Sequence, residues 1–314
     1  MFKSFTIYKL LSRVSLAALE DALAADPFTP CGASQEKSIG WQPPREEEHG
    51  AFVESVGGQY IARLMIETKS VPASAVKQKV KEEIAEIEAQ TGRKPGKRER
   101  REITDEARMA LLPHAFPKQC AVTVWIDPRA GYLVLDNTSQ GRLDDTITSL
   151  VKAVDGLQVG LVNTNTSPCT WMAAVLADVD HLSSAFTIDR ECELKAADES
   201  KAVVKYAKHP LDIDEVRGHI KQGKLPTKLA LTWRDRVSFV LTENLQVKKI
   251  AFLDSVFEGG SKADGEDNFD ADVAIVTGEL RVLIPDLFDA LGGENVQGSG
   301  ASESSDTLDD EDEL

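Results

Sequence analysis

The sequence predicts an α+β protein of antiparallel sheets with a helical hairpin extending from them, and three observations carry that expectation. Strand-like alternation recurs along the chain, most clearly at Val237, Phe239 and Leu241 and again over residues 59–67. Between two such runs the period switches to that of a helix, with Val76, Val80, Ile84 and Ile87 three or four residues apart. Strands and helices also follow one another in mixed order, without the strict alternation of a doubly wound parallel sheet.

The elements justify themselves in turn. Residues 5–10 alternate as a strand, and Ser15 is placed to cap a helix over 16–25 that Pro27, Pro30 and Gly32 bring to an end. Gly40-Trp41-Gln42-Pro43-Pro44 reads as a rigid apolar turn, because proline forbids helix there. The strand at 59–67 puts Tyr60, Ala62, Leu64 and Ile66 on one face and Ile61, Arg63 and Met65 on the other. A helix then starts near Pro72, breaks at Pro95-Gly96, and is followed by a second helix capped by Thr104 that ends before Pro113. Strands follow at 121–127 and 132–136, joined by a turn at 128–131. Residues 140–200 mix helix and strand. Beyond them come a strand at 202–206, a helix at 212–222, a three-stranded meander over 228–252, and one or two apolar helices over 269–291 interrupted by Gly278 and Pro285. After Val296 there is almost nothing to bury, so 297–314 is expected to be an acidic disordered tail. The body is accordingly 1–296, comprising the hairpin at 72–112, the mixed region at 113–200 and the C-terminal strands and helices at 201–296.

Charge is partitioned as sharply as structure. The formal net charge is -16, yet residues 254–314 hold 18 acidic and 2 basic side chains, which leaves 34 of each sign in residues 1–253. The acidic pI therefore does not exclude a polyanionic partner, since fields at a surface act over about 10 Å or less. Arg93, Lys94, Lys97, Arg98, Arg100 and Arg101 fall within nine residues with only Glu99 opposing them, at the tip of the expected hairpin. A second basic stretch, Lys201 to Lys249, includes Lys205, Lys208, Arg217, Lys221, Lys224 and Lys228. Phosphate contact and an ordinary solvated surface both account for either stretch. No aromatic ladder for stacking single strands accompanies them, and no base-reading motif is present.

Enzyme signatures are absent: no phosphate-binding loop, no dinucleotide fingerprint, no nucleophile elbow and no HExxH. The histidines His49, His114, His181, His209 and His219 show no ligand spacing with Cys31, Cys120, Cys169 and Cys192, so no cofactor is expected. Asp270 and Asp272, with Asp254 or Glu279, could hold a divalent metal, which keeps a metal-dependent nuclease as the alternative. A protein-interaction scaffold whose acidic end mimics DNA is a third possibility. The unpaired cysteines and the lack of a long apolar segment fit a soluble cytoplasmic protein with no membrane partner.

Seven ordered blocks then resemble one family, the recombination-associated protein RdgC: residues 28–32 (FTPCG), 40–44 (GWQPP), 111–116 (LLPHAF), 125–127 (WID), 227–231 (TKLAL), 269–272 (FDAD) and 277–280 (TGEL). The resemblance implies a non-enzymatic, sequence-nonspecific DNA-binding protein. It implies a protomer of a ring-shaped homodimer that encircles duplex DNA, binds single strands more weakly, limits RecA access by competition, and associates with the nucleoid. It further implies that Phe116 lies at a dimer interface and that Lys205, Lys208 and His209 face DNA. Here Ala207-Lys208 stands where the family carries a lysine pair, and His209-Pro210 replaces a more polar step.

Overall fold

The computed structural model describes residues 2–47, 49–257 and 269–295. Among them twelve strands form one continuous antiparallel sheet, accompanied by eight α-helices, so the α+β expectation stands with one sheet in place of several. The elements run β1 (Ser4–Leu10), α1 (Leu16–Ala24), β2 (Lys37–Gln42), β3 (Val53–Val56), β4 (Gln59–Lys69), α2 (Ala73–Thr91) and α3 (Lys97–Leu111). They continue with β5 (Pro117–Asp127), β6 (Tyr132–Leu135), α4 (Gln140–Ala153), β7 (Val159–Leu161), α5 (Pro168–Ala177), β8 (Phe186–Ala196) and β9 (Val203–Ala207). The last are α6 (Asp214–Lys221), β10 (Lys224–Trp233), β11 (Val237–Thr242), β12 (Gln246–Phe252), α7 (Asp254–Phe257) and α8 (Phe269–Ala290).

The main strand order is β2-β4-β5-β6-β1-β12-β11-β10-β8-β9, with β3 on β4 and β7 on β1. β1 is the seam: it pairs with β6 through Thr6–Leu135 and with β12 through Phe5–Val247, joining the N-terminal strands to the C-terminal meander. On one face Leu19 and Leu23 of α1 and Leu143 and Leu150 of α4 share a core with Leu64, Val122, Val124 and Leu133. In the second core Leu280, Leu283, Ile284 and Leu287 of α8 meet Phe5, Trp125 and Val134, and α5 places Trp171, Met172 and Val175 with Leu229, Leu231 and Phe239. Two polar links pin α8 across the seam: Arg281 Nε donates to the buried Asp127 at 2.9 Å, and Trp233 Nε1 to Asp286 at 2.7 Å.

Three expectations are corrected. Gly40, Trp41 and Gln42 belong to β2, not to a turn, because Pro43 and Pro44 only end the strand and the buried Trp41 anchors it in the core. Gly40 is required there, since a Cβ would collide with the Phe28 backbone. The second hairpin helix begins at Lys97, not after Thr104: Gly96 is its N-cap, Glu99 accepts the Gly96 N–H, and Thr104 sits mid-helix donating its hydroxyl to the Arg100 carbonyl. Gly278 and Pro285 do not divide the last helix, which runs unbroken through both. The expected tail, 297–314, lies outside the described residues.

Candidate nucleic-acid interface

The helical hairpin grows from adjacent antiparallel strands. Lys69 at the end of β4 pairs with Pro117 at the start of β5, so α2 and α3 leave and re-enter the sheet at one point. At about 1.5 Å per residue the 19 residues of α2 carry the tip roughly 28 Å along the hairpin. The hairpin packs mainly on itself, α2 against α3, with Val76, Ile103 and Ala107 buried along it. Gly92, with φ at +69°, caps α2 in the left-handed region and turns the chain.

The basic cluster therefore occupies this turn and the first two turns of α3, and all six cations are exposed. Arg93 reaches back to Glu99 at 2.7 Å and Arg98 pairs with Glu102 at 3.1 Å. Hydrogen bonding from Arg93 holds the Glu99 carboxyl below the usual carboxylate range. Arg100 donates to the Pro95 carbonyl, a neutral acceptor, and among the described residues neither it nor Lys94, Lys97 or Arg101 makes an ion pair. Four positive charges thus stand unanswered at the N-terminal end of a helix, where the macrodipole is already positive.

The second basic stretch lies at the far edge of the sheet. Register sets Lys205 of β9 and Lys228 of β10 on either side of Glu193 of β8, forming a cross-strand row. Glu193 Oε2 lies 3.1 Å from Lys205 Nζ and 3.0 Å from Lys228 Nζ, and its Oε1 accepts from Thr227 Oγ1 at 3.0 Å. Burial would raise the Glu193 carboxyl, but hydrogen bonds from Lys228, Lys205 and Thr227 outweigh it and hold the group down at about 2. One step along, Lys249 pairs with Glu191 at 2.5 Å.

Lys208 and His209 follow β9 directly, both exposed. Lys208 takes φ +57°, His209 Nδ1 donates to the Pro210 carbonyl at 2.8 Å, and the His209 ring leans against Tyr206. Lys221 is exposed at the end of α6, while Lys224 donates to His219 Nδ1 at 2.9 Å and Arg217 is paired with Asp212 and Asp214. The hairpin tip and the β8–β10 row share no hydrogen bond or ion pair among the described residues. Phe116, between the hairpin and β5, is 93% exposed, so it is no core residue of this chain.

The acidic candidates are distributed differently. Asp270 pairs with Arg45 at 2.6 Å and Glu279 with Arg236 at 2.5 Å. Among the described residues no group of three or more His, Cys, Asp or Glu side chains is arranged to hold a metal ion, and no helix is long and apolar enough to cross a membrane. Sequence reasoning missed Glu193. The signal was available in Asp189, Glu191, Glu193 and Lys195, which alternate at the period of a strand within a region left as mixed.

Fold and surface together define a class: a mixed α/β protein on one antiparallel sheet, with a self-packed helical arm ending in arginine and lysine. The chain matches the family described as "Putative exonuclease, RdgC" over residues 1–294. It is similar to the recombination-associated protein RdgC of Dechloromonas aromatica, 40% identical over 303 residues that cover 94% of this chain and 99% of that protein. The proteins of the same name from Cupriavidus pinatubonensis and Janthinobacterium sp. are 40% and 41% identical, each over 297 residues covering 93% of this chain and 98% of theirs. The chain belongs to the RdgC family of recombination-associated proteins.

Proposed function

We propose that this protein binds DNA through its phosphate backbone without reading sequence, acts as a ring-shaped homodimer around the duplex, and modulates recombination by limiting RecA access to DNA. The carrying observation is the uncompensated charge of Lys94, Lys97, Arg100 and Arg101 at the end of the projecting arm. Among the described residues these four cations make no ion pair, and they oppose the helix dipole, so a polyanion is the partner that offsets their cost. Lys208 and Lys221 provide further contacts, whereas Arg93, Arg98, Lys205, Lys224, Lys228 and His209 already have partners in the chain. With no base-reading motif to carry them into a groove, these cations engage phosphates, and single strands bind more weakly because no aromatic platform stacks their bases. Phe116 supplies an apolar contact between the two copies. In this reading the protein is not an enzyme, and it works in the cytoplasm on the nucleoid.

A second reading, a metal-dependent exonuclease, is favoured by the family's description alone. Incubation of end-labelled duplex with the protein and magnesium or manganese separates the two. The DNA-covering reading predicts intact strands shielded from an added nuclease, and native mass spectrometry of the free protein should give the dimer. Progressive shortening of strands that needs the metal would establish the exonuclease instead.

A further inference from the structure

Two of the lysines on the β8–β10 face are already occupied. Lys205, Glu193 and Lys228 stand in register on three adjacent strands, with both ammonium groups on the same carboxylate oxygen. The Glu193 side chain is 17% exposed and is further fixed by the Thr227 hydroxyl, whereas Lys205 is 68% exposed and Lys228 39%. A carboxylate attached to the same sheet competes at high effective concentration with any phosphate that approaches. We propose that Glu193 is a built-in counter-anion that withholds Lys205 and Lys228 from DNA and so sets how tightly this face takes up a phosphate backbone.

The inference rests on the duplex-binding reading. Glutamine in place of Glu193 keeps the side-chain volume and an oxygen that can accept from Thr227, so the lysines are freed without demanding that the sheet rearrange. The row as it stands carries one net positive charge in place of two. The lysines released would each neutralise a phosphate and add about 0.9 to the slope of log affinity against log salt.

The test is duplex binding by fluorescence anisotropy over a potassium chloride series, with the wild-type protein, Glu193→Gln, and Glu193→Gln combined with Lys205→Gln and Lys228→Gln. Glu193→Gln should bind roughly three- to tenfold more tightly at low salt, with a slope steeper by about one to two, and the triple variant should lose that gain. Ordinary wild-type binding beside an unaltered Glu193→Gln would overturn the inference alone. A wild-type protein that binds no duplex at any salt overturns the DNA reading and the inference with it. Should Glu193→Gln fold poorly, Lys205→Gln with Lys228→Gln in the wild-type background decides: a slope change below one supports withheld lysines, and a loss near two shows that they were bound to phosphate throughout.

Discussion

Phe116 and Glu193 show how much a single side chain can report. An aromatic ring buried in a core costs about 3–5 kcal/mol when cut to alanine, but Phe116 is nearly fully exposed in the protomer. Phe116→Ala should therefore leave the folding stability of the isolated protomer within about 0.5 kcal/mol while shifting native mass from dimer to monomer; a collapse in thermal stability with an intact dimer would show that the ring serves the fold. Glu193 makes a prediction of the opposite kind. Its carboxyl sits at about 2 against an ordinary 4.5, so its contribution to stability is complete above about pH 4.5 and drains away as pH falls through 2. Glu193→Gln should flatten that part of an acid-unfolding profile followed by circular dichroism, and an identical profile would deny the clasp any energetic role.

At the scale of elements, the helical arm and the edge strands differ in how legible they were. The first arm helix was readable because Val76, Val80, Ile84 and Ile87 repeat at one face, and the basic cluster was placed at the tip by the Pro95-Gly96 break. The start of the second helix was not, because three basic residues in a first turn contradict dipole preference, and Thr104 offered a better cap on paper. Tertiary context and the Glu99 contact to Gly96 prevailed. That same conflict yields a measurement: Lys97→Gln and Arg101→Gln should each leave stability unchanged or raise it by roughly 0.3–1 kcal/mol at low ionic strength while weakening duplex binding. Loss of stability in both would mean that the cations support the hairpin. β8 escaped notice for another reason, since its two bulged pairings with β10 blur the apolar alternation and charged residues fill its other face.

For the whole molecule, the seam and the charge partition matter most. Pairing of β1 with β12 joins residues some 240 apart, and nothing local announces such a contact: the meander was legible from Val237, Phe239 and Leu241, but its place beside the N-terminal strand was not. The charge partition was legible entirely, because counting suffices. Residues 299–314 carry seven acidic and no basic side chains and follow directly on a body whose arm is cationic. Removing residues 299–314 should tighten duplex binding at low salt and have little effect at high salt, where screening erases the competition; equal affinities at every salt would free the acidic end of any such role. Contact between the arm and the phosphate backbone is read from the salt dependence of duplex affinity in the wild-type protein and in a variant carrying Lys94→Gln, Lys97→Gln, Arg100→Gln and Arg101→Gln. Phosphate contact through the arm predicts a steep negative log–log slope that becomes shallower by at least about two in the variant, whereas the same slope in both proteins, or none in either, would contradict it.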